Sequence, residues 1–426
     1  MMNEATRLFI SQHWQDDVRE LALRGTKDPE VNLAFALQQI DGRRRAQEKL
    51  PSWAAIEGIV WPPHLSMEQC SSEVTARYKA KVAGGGSLFV DLTAGFGVDA
   101  AFIAAGFERA VCVELQKELC AISSANFEVL GLRQIEVVNG NGVDYLHAME
   151  PADLVFIDPA RRDEHGGRTY GIADCTPNVL EIIDEMEEKA VRIMIKLSPM
   201  LDWRKAVEDI GRQHVAAVHI VSVNNECKEL LIVVEGRTRS VEGKYSVHCV
   251  NLLADGRTER FSWSVESDSW REECGGRSEI CSEGDSAAGV FSPHLPPSTL
   301  HEIPSTTHYL YEPNASVMKA GCFDLLEAHF GVRALHQNSH LFVSDRQVDG
   351  FPGRGFVIER ETSMNKRELK ASLADITQAN IAVRNFPLSV AELRKRLRIQ
   401  DGGNVYIFAT TTAKEGHRLF ICKKIS

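Results

Sequence analysis

The spacing of apolar residues divides the chain into regions of different secondary structure. Over residues 1–80 apolar side chains recur every three or four positions, as in DDVRELALR, VNLAFALQQIDGRRRAQEKL and MEQCSSEVTARYKAKV. This spacing is typical of amphipathic helices. Trp61-Pro62-Pro63 interrupts it, because proline breaks a helix. We therefore predict an N-terminal helical region over 1–80, with MEQCSSEVTARYKAKV as its last helix.

From Ser87 to about Glu235 the pattern changes to Val- and Ile-rich runs separated by amphipathic segments. The runs are LFVDLTA, AVCVEL, QIEVVNG, ADLVFIDPA, VRIMIKLSP, VAAVHIVSVNN and CKELLIVVE. Continuous apolar strands separated by helices predict a parallel sheet covered on both faces. Only a few residues around Asn224-Asn225 join the last two runs, so these must pair as an antiparallel hairpin. The prediction is a Rossmann-like α/β domain over 81–240 with a seven-stranded sheet.

The C-terminal part is predicted to consist of smaller units. A hairpin around Ala254-Asp-Gly256 and the polar stretch 267–289 form a connecting region over 241–295, since low apolar content is typical of linkers. A small mixed α/β segment follows over 296–349. Residues 350–426 have the pattern β-α-β-α-β-β.

Composition favours a cytoplasmic protein of two or three domains. The chain has 426 residues, of which 44% are hydrophobic. No apolar run is long enough to span a membrane, and the N-terminus lacks the features of a signal peptide. The ten cysteines include no C-x-x-C pair, so we expect neither a disulfide framework nor a bound metal.

The net charge of −11 is unevenly distributed along the chain. Residues 366–426 contain 12 Lys and Arg against 5 Asp and Glu, a local charge of +7, so the other residues carry −18. An acidic body with a basic C-terminal segment would contact a polyanion locally. A solvated helix face explains the same charges equally well.

The stretch Asp91-Leu-Thr93-Ala94-Gly95-Phe-Gly97 is the first candidate for binding chemistry. A strand ends there in a glycine-rich turn that opens a helix, which lets backbone amides approach a ligand. The spacing of Gly95, Gly97 and Ala100 also fits a dinucleotide site. Asp91 favours S-adenosylmethionine (SAM), because SAM carries an ammonium and a sulfonium, whereas a pyrophosphate would be repelled by a carboxylate.

Two further strand ends carry groups that suit a nucleoside. Glu114 ends the second strand, where a carboxylate can accept both ribose hydroxyls. NAD sites use the same interaction, and an exposed strand-end glutamate without a ligand is the alternative. Asn141, after the third strand, can accept a hydrogen bond from the adenine amine or can simply belong to a turn.

The fourth strand ends in Asp158-Pro159-Ala160-Arg161-Arg162. Ligands of open α/β sheets bind beyond the carboxyl ends of the strands, so Asp158 and the Pro159 carbonyl are placed to orient an attacking atom. The alternative is that Asp158-Pro159 is simply a strand-to-loop turn. The two arginines suit a phosphate or carboxylate of a substrate. Lys196, at the end of the fifth strand, is predicted either to contact substrate or to pair with Asp158 or Glu226.

These motifs together resemble bacterial class I SAM-dependent methyltransferases that carry a THUMP-like C-terminal domain. The resemblance includes the helix before the first strand, Glu68 to Lys79, and Lys196-Leu-Ser-Pro199 and Glu226-Cys-Lys-Glu229. It extends to Tyr311-Glu-Pro313-Asn-Ala-Ser-Val-Met-Lys-Ala-Gly321, which is similar to a ferredoxin-like segment. The pattern Arg367-x-x-Leu-Lys…Leu393-x-x-x-Leu397 is similar to the THUMP-like module.

The resemblance implies SAM as cofactor and points towards an RNA substrate held by the basic C-terminal domain. Amino-methylating relatives usually have an aromatic residue that stacks on the flipped base. Here Ala160 and Arg161 replace the second proline and that aromatic residue, which leaves the methylated atom open. The candidate cofactor-binding residues are Asp91, Thr93, Ala94, Gly95, Gly97, Glu114, Asn141 and Asp158. The candidate catalytic residues are Asp158, Pro159, Arg161 and Lys196.

Three alternatives stay open at this point. The protein could bind SAM and RNA without catalysis, it could methylate DNA or protein, or it could be a nicotinamide-dependent oxidoreductase. The Asp158-Pro159 motif and the predicted hairpin argue against the last of these.

Overall fold

A computed structural model describes residues 3–161, 171–236, 244–266, 308–412 and 416–425. The chain folds into two compact units. The first comprises Met1–Val218 and Glu229–Tyr245, and the second comprises His219–Lys228 and Ser246–Ser426. The predicted linker over 267–289 and Arg162 lie outside the described residues. The predicted domain boundaries stay a prediction.

The first unit begins with six helices, in agreement with the periodicity of residues 1–80. Side-chain oxygens of Asn3, Asp17 and Asn32 accept hydrogen bonds from amides in the first turns of the first three helices. Such caps satisfy amides that have no partner within a helix. The helices are α1 (Glu4–His13), α2 (Val18–Arg24), α3 (Leu33–Lys49), α4 (Pro51–Ala54), α5 (His64–Gln69) and α6 (Glu73–Ala83).

The prediction of one continuous helix over 67–82 is wrong. The structure has two helices there, because α5 ends at Gln69 and α6 begins at Glu73. Ser72 is the N-cap of α6, and its Oγ accepts a hydrogen bond from the amide of Thr75. A serine hydroxyl favours this position over a helix interior because it competes for backbone hydrogen bonds.

The main sheet has the predicted alternation of strands and helices. In chain order, the strands from Gly86 to Glu235 are β1 (Gly86–Asp91), β2 (Phe107–Glu114), β3 (Ile135–Asn139), β4 (Ala152–Ile157), β5 (Ala160–Arg161), β6 (Cys175–Thr176), β7 (Ala190–Leu197), β8 (Val215–Val223) and β9 (Glu226–Glu235). The helices between them are α7 (Val98–Ile103), α8 (Lys117–Val129), α9 (Gly142–Ala148), α10 (Val179–Lys189) and α11 (Trp203–Ile210). Within the described residues, the short strands β5 and β6 pair with each other and are not part of the main sheet.

The strand order is β3-β2-β1-β4-β7-β9-β8. Strands β3, β2, β1, β4 and β7 are parallel, and β9 runs antiparallel to β7. The carboxyl ends of the five parallel strands therefore meet at one edge of the sheet. This edge is where a ligand is expected in an open α/β sheet.

Strands β8 and β9 form the predicted hairpin. Asn224 and Asn225 connect them, with φ angles of 48° and 66°. Two left-handed residues are what a tight two-residue hairpin turn requires, and asparagine tolerates that conformation well. The tip of this hairpin belongs to the second unit. The sheet also includes β10 (Lys244–Leu252) and β11 (Thr258–Glu266), so in the part of the chain that the structure describes it has nine strands rather than the predicted seven.

Apolar side chains from both the helices and the strands form the core of the first unit. Phe89 of β1 and Phe156 of β4 are fully buried. On the helical side, the rings of Trp53 and Trp61 lie 5.4 and 6.3 Å from the ring of Phe96. Phe96 belongs to the glycine-rich turn after β1, so the helical region packs directly against the candidate site.

The second unit contains a seven-stranded sheet with the order β13-β14-β12-β15-β18-β17-β16. Residues 353–424 have the predicted β-α-β-α-β-β pattern. The elements are β12 (Tyr309–Pro313), α12 (Ala315–Ala320), α13 (Phe323–Phe330), β13 (Arg333–Ala334), β14 (Phe342–Ser344), β15 (Gly353–Ser363), α14 (Lys366–Ser372), β16 (Asn380–Arg384), α15 (Val390–Leu397), β17 (Val405–Thr412) and β18 (Gly416–Lys424).

Both faces of this second sheet carry a core. Helices α14 and α15 cover one face, where Leu369 and Leu393 pack in a cluster with Ile407. On the other face, Phe356 and Phe408 pack against residues from β12 to β14. Among the described residues, no helix is both long enough and apolar enough to cross a membrane.

Candidate active site

Asp91 is the last residue of β1 and its side chain is buried. Its Oδ1 accepts a hydrogen bond from the amide of Thr93 at 2.9 Å. Burial raises the pKa of Asp91 well above its ordinary value, and the carboxylates of Asp99 and Asp158 raise it further. Lys196 opposes this rise only in part. The site is therefore short of positive charge beside Asp91, and a cationic ligand would relieve that shortage.

The turn after β1 depends on two glycines. Gly95 and Gly97 have φ angles of 55° and 81°, a conformation that glycine adopts at little cost. A Cβ atom at Gly97 would lie 2.6 Å from Cζ of Phe127, whereas one at Gly95 would meet nothing closer than the Thr93 carbonyl at 4.0 Å. The turn is thus packed tightly against α8 at Gly97. At Gly95 there is free space beside the backbone, which a ligand could occupy.

Glu114 ends β2 and faces the same turn. One carboxylate oxygen accepts a hydrogen bond from the amide of Gly95 at 2.9 Å, and the other accepts one from the amide of Gln116 at 2.7 Å. The amide of Ala94 also donates to the Val113 carbonyl. Glu114 is therefore fixed in orientation, and each of its oxygens keeps a lone pair for a further donor.

The end of β4 is tied to the turn through Thr93. The amide of Asp158 donates to Thr93 Oγ1 at 2.7 Å, so the two strand ends hold each other in place. Lys196, at the end of β7, forms an ion pair with Asp158 at 2.5 Å. Of the alternatives predicted for Lys196, the structure contains the pair with Asp158.

Lys196 keeps its positive charge at this edge. Burial opposes the charge, but the carboxylates of Asp158, Asp99 and Glu229 outweigh burial and raise the pKa of Lys196. A permanently charged ammonium cannot accept a proton. Lys196 is consequently suited to holding Asp158, and it is unsuited to acting as a base.

A buried network of charges lies behind this edge, and sequence analysis assigned no role to its members. Lys79 of α6 is completely buried. Its ammonium lies 2.8 and 2.7 Å from the two carboxylate oxygens of Glu229, 3.1 Å from Ser71 Oγ and 3.2 Å from Asp99 Oδ1. Asp99 lies in turn 3.7 Å from Lys196. The network therefore connects α6 and β9 to the lysine that holds Asp158.

Asn141 and Leu115 complete the edge on the side of β3. The side chain of Asn141 caps α9 by accepting a hydrogen bond from the amide of Val143 at 2.8 Å. Leu115, directly after Glu114, is 71% exposed. Sequence analysis did not single out Leu115, which its place directly after the strand-end glutamate could have indicated.

The remaining candidates are placed only in part. Pro159 is buried, and Arg161 lies in β5 opposite Cys175. The side chain of Arg161 and all of Arg162 lie outside the described residues. The structure therefore brings together Asp91, Thr93, Gly95, Glu114, Asp158 and Lys196, and it leaves the predicted arginine contacts open.

Comparison with known families identifies two domains in the second unit. Residues 309–352 match a ferredoxin-like domain family, and residues 353–424 match a THUMP domain-like family. No curated protein sequence matches the chain.

The whole chain is similar to one solved structure in particular, which is described as a "putative methyltransferase" from Porphyromonas gingivalis W83. The two sequences are 28% identical, the match covers 100% of each chain, and the TM-score is 0.82. The chain therefore has a methyltransferase-like α/β fold with ferredoxin-like and THUMP-like domains at its C-terminal end.

Other solved structures match a smaller part of the chain. An rRNA methylase from Streptococcus thermophilus is 18% identical over 38% of this chain and 93% of its own, with a TM-score of 0.29. TrmK from M. capricolum, in complex with S-adenosylhomocysteine, is 14% identical over 38% of this chain and 68% of its own, with a TM-score of 0.30. At these TM-scores neither likeness bears on function.

Proposed function

We propose that this methyltransferase-like chain is a SAM-dependent methyltransferase that acts on RNA. The observation that carries the proposal is Asp91, a buried carboxyl group short of positive partners that lies beside a glycine-rich turn. A ligand for this place needs a cation, and SAM offers an ammonium. A pyrophosphate would add negative charge beside Asp91, Asp99 and Asp158, which argues against a nicotinamide cofactor.

The residues at the edge fit the other parts of SAM as well. Glu114 has lone pairs for the ribose hydroxyls, and Leu115 offers an apolar face to the adenine. Gly95, with Thr93 and Ala94 beside it, allows close approach of the backbone. Asn141 already caps α9, so its amide oxygen would reach adenine only through its second lone pair.

SAM would supply an electrophilic methyl group on its sulfonium. The chain's own contribution is to align the attacking atom and to exclude water. Asp158 has the position for alignment, because Thr93 fixes its backbone and Lys196 fixes its carboxylate. The buried Pro159 contributes a rigid carbonyl next to it. In this hypothesis Arg161 holds a phosphate of the substrate.

The choice of RNA rests on the second unit. Its THUMP-like part, residues 353–424, carries the basic segment found in the sequence. Lys366, Arg367 and Lys370 of α14 are exposed, as are Lys395 and Arg396 of α15. Exposed basic side chains on two helices of an otherwise acidic chain provide a local surface for a polyanion.

Incubation of the full chain with methyl-labelled SAM and separate RNA, DNA and protein fractions tests the proposal. We expect label in the RNA fraction. Label in DNA or protein would replace the RNA substrate and keep the enzyme class. RNA binding without label in any fraction would favour a non-catalytic binding protein.

Replacing Glu114 with glutamine is expected to weaken SAM binding about 10- to 100-fold, because a charge-assisted hydrogen bond is worth about 1.5–3 kcal/mol. Isothermal calorimetry measures the affinity. Glu108→Gln is the matched control, since Glu108 lies exposed on the same strand at its other end. Equal affinities of the Glu114 and Glu108 variants would contradict the assignment of Glu114 to the ribose.

SAM binding is also expected to release a proton. Burial raises the pKa of Asp91 in the free protein, and a bound ammonium lowers that pKa again because it favours the ionised form. The affinity for SAM should therefore increase as the pH rises from the range in which ordinary carboxyl groups titrate towards the raised pKa of Asp91. Calorimetry at pH 6, below the ordinary pKa of an α-amino group (about 7.7–8.0), should give heats that depend on the buffer.

The Asp91→Asn variant is the control for this proton release. Asparagine keeps an acceptor for the Thr93 amide but has no proton to lose, so the buffer dependence should vanish. Buffer-independent heats in the wild type would argue against an ammonium at Asp91.

A further inference from the structure

The ferredoxin-like segment contains a cluster of charges that the proposed function does not use. Glu312 of β12 is buried, with only 4% of its side chain exposed. One carboxylate oxygen accepts hydrogen bonds from Nε and Nη2 of Arg354, and the other accepts one from Nη2 of Arg384 at 2.9 Å. The two arginines belong to β15 and β16, which lie in the THUMP-like segment.

The curvature of the sheet brings these residues together. In the strand order β12-β15-β18-β17-β16, the first and last strands are four spacings apart. In a flat sheet that separation would be about 19 Å, more than a glutamate and an arginine side chain can bridge. The sheet must therefore be strongly bent between Glu312 and Arg384.

The cluster lies on the concave face of this sheet. Glu312, Arg354 and Arg384 each lie two positions from a residue of the aromatic core: Leu310, Phe356 and Ala382. Residues two positions apart in a strand share a face. The three charged residues thus lie on the face that carries the aromatic core, where the bent sheet brings Arg384 of β16 to Glu312 of β12.

The cluster of Glu312, Arg354 and Arg384 carries a net positive charge. Within the described residues, Glu312 is the sole carboxylate that pairs with either arginine. Two guanidinium groups share one carboxylate, which leaves a net charge of +1. Their side chains are 42% and 41% exposed. A buried glutamate holds them in place and still leaves their outer N–H groups accessible to a ligand.

Two residues beside the cluster, His340 and Asn385, add polar side chains that carry no negative charge. Burial lowers the pKa of His340, and the charge of Arg384 lowers it further. The amide nitrogen of Asn385 lies 3.2 Å from Nδ1 of His336. His340 and Asn385 have φ angles of 52° and 49°, a backbone conformation that residues other than glycine adopt at some cost in energy.

We propose that Arg354 and Arg384, held by Glu312, form a binding site for a phosphate group of RNA. A planar guanidinium group can donate hydrogen bonds to two phosphate oxygens at once. Because Glu312 already holds both guanidinium groups in place, they lose little conformational entropy when a phosphate binds. The choice of RNA rests on the proposed function, whereas the phosphate site rests on the cluster itself. The competing explanation is that the three residues only hold the bent sheet together.

The first experiment measures binding of a labelled 12-nucleotide uridine RNA, with and without a 5′-phosphate, to the full chain at several salt concentrations. Arg384→Gln and Arg354→Gln are expected to weaken binding about tenfold, the size of one lost charge-assisted interaction. The slope of log affinity against log salt should fall by about 0.7 for one lost phosphate contact on a single strand. A loss confined to the phosphorylated RNA would assign the site to a terminal phosphate, and a loss with both RNAs to the backbone.

Two further variants separate binding from folding. Arg384→Lys keeps the charge and a donor to Glu312 but lacks the planar fork, so it should keep the melting temperature and lose part of the affinity. Arg257→Gln removes an exposed arginine of the same unit whose charge Asp255 already balances, and it should change nothing. Wild-type affinity and salt slope in both glutamine variants would overturn the proposal and leave only the structural role.

Inorganic phosphate tests the site independently of RNA. It should raise the melting temperature of the wild type more than chloride does at equal ionic strength, because a ligand that binds the folded state stabilises it. Arg384→Gln should lose this extra rise. If the wild type binds no RNA but retains the phosphate effect, RNA is the wrong partner and the anion site stands. If the wild type neither binds RNA nor is stabilised by phosphate, the proposed anion site is wrong as well.

Discussion

Replacing Lys79 with methionine is expected to lower the free energy of unfolding by about 3–5 kcal/mol. The Lys79 ammonium is completely buried and faces the carboxylates of Glu229 and Asp99. Removing one partner of a buried ion pair leaves uncompensated charge in a medium that solvates it poorly. Denaturant unfolding of the full chain, followed by tryptophan fluorescence, measures the change.

The helix that carries Lys79 also provides the control. Lys81 lies on α6 and is exposed, so Lys81→Met should change stability by no more than about 0.5 kcal/mol. The double variant Lys79→Met/Glu229→Leu removes both charges and should recover a large part of the loss. A Lys79→Met protein as stable as the Lys81→Met protein would mean that the buried network contributes nothing to folding.

Replacing Asp158 with asparagine is expected to slow methyl transfer by about 10²-fold or more while SAM affinity stays within a few-fold of wild type. The carboxylate is the group proposed to orient the attacking atom, and small losses of alignment cost factors of this size. Asparagine preserves the shape of the side chain and the backbone hydrogen bond to Thr93. Single-turnover kinetics with labelled SAM, together with calorimetry, separate the rate from the affinity.

Lys196 gives a way to test whether Asp158 acts with a partner. If Lys196 works by holding Asp158, Lys196→Met should slow transfer in the wild type and add little to the Asp158→Asn variant, so the two effects would not be additive. Asp184→Asn, an exposed aspartate on α10, is the matched control for the aspartate change. Unchanged transfer in Asp158→Asn would remove Asp158 from the catalytic residues.

The fold could be predicted well because local chemistry determines most of it. Alternating apolar strands and amphipathic helices defined the sheet, and the two asparagines at 224 and 225 defined the hairpin that turns its last strand antiparallel. Serine at 72 shows the limit of that method. The helical spacing of apolar residues continues on both sides of Ser72, so it predicted one helix. The preference of serine for the N-cap position explains why the structure has two helices there, α5 and α6.

The cofactor side of the site was predictable for a related reason. Asp91, Glu114 and Asp158 each end a strand, and parallel strands bring their ends to one edge. The roles assigned to them stay predictions. The residues behind them could not be foreseen, because Lys79 and Glu229 are 150 positions apart. Burial of a lysine depends on tertiary packing, which no local pattern encodes.

The Lys79–Glu229 pair also has a consequence for how the chain is made. During synthesis the helix α6 and strands β1 to β7 leave the ribosome well before Glu229. Until then Lys79 has no counter-charge from β9, and the sheet lacks the strand that pairs with β7. The first unit can therefore complete its core only after more than half of the 426 residues have been translated. A fragment that stops before the hairpin would keep the residues proposed to bind SAM and still lack one of the two carboxylates that face its buried lysine.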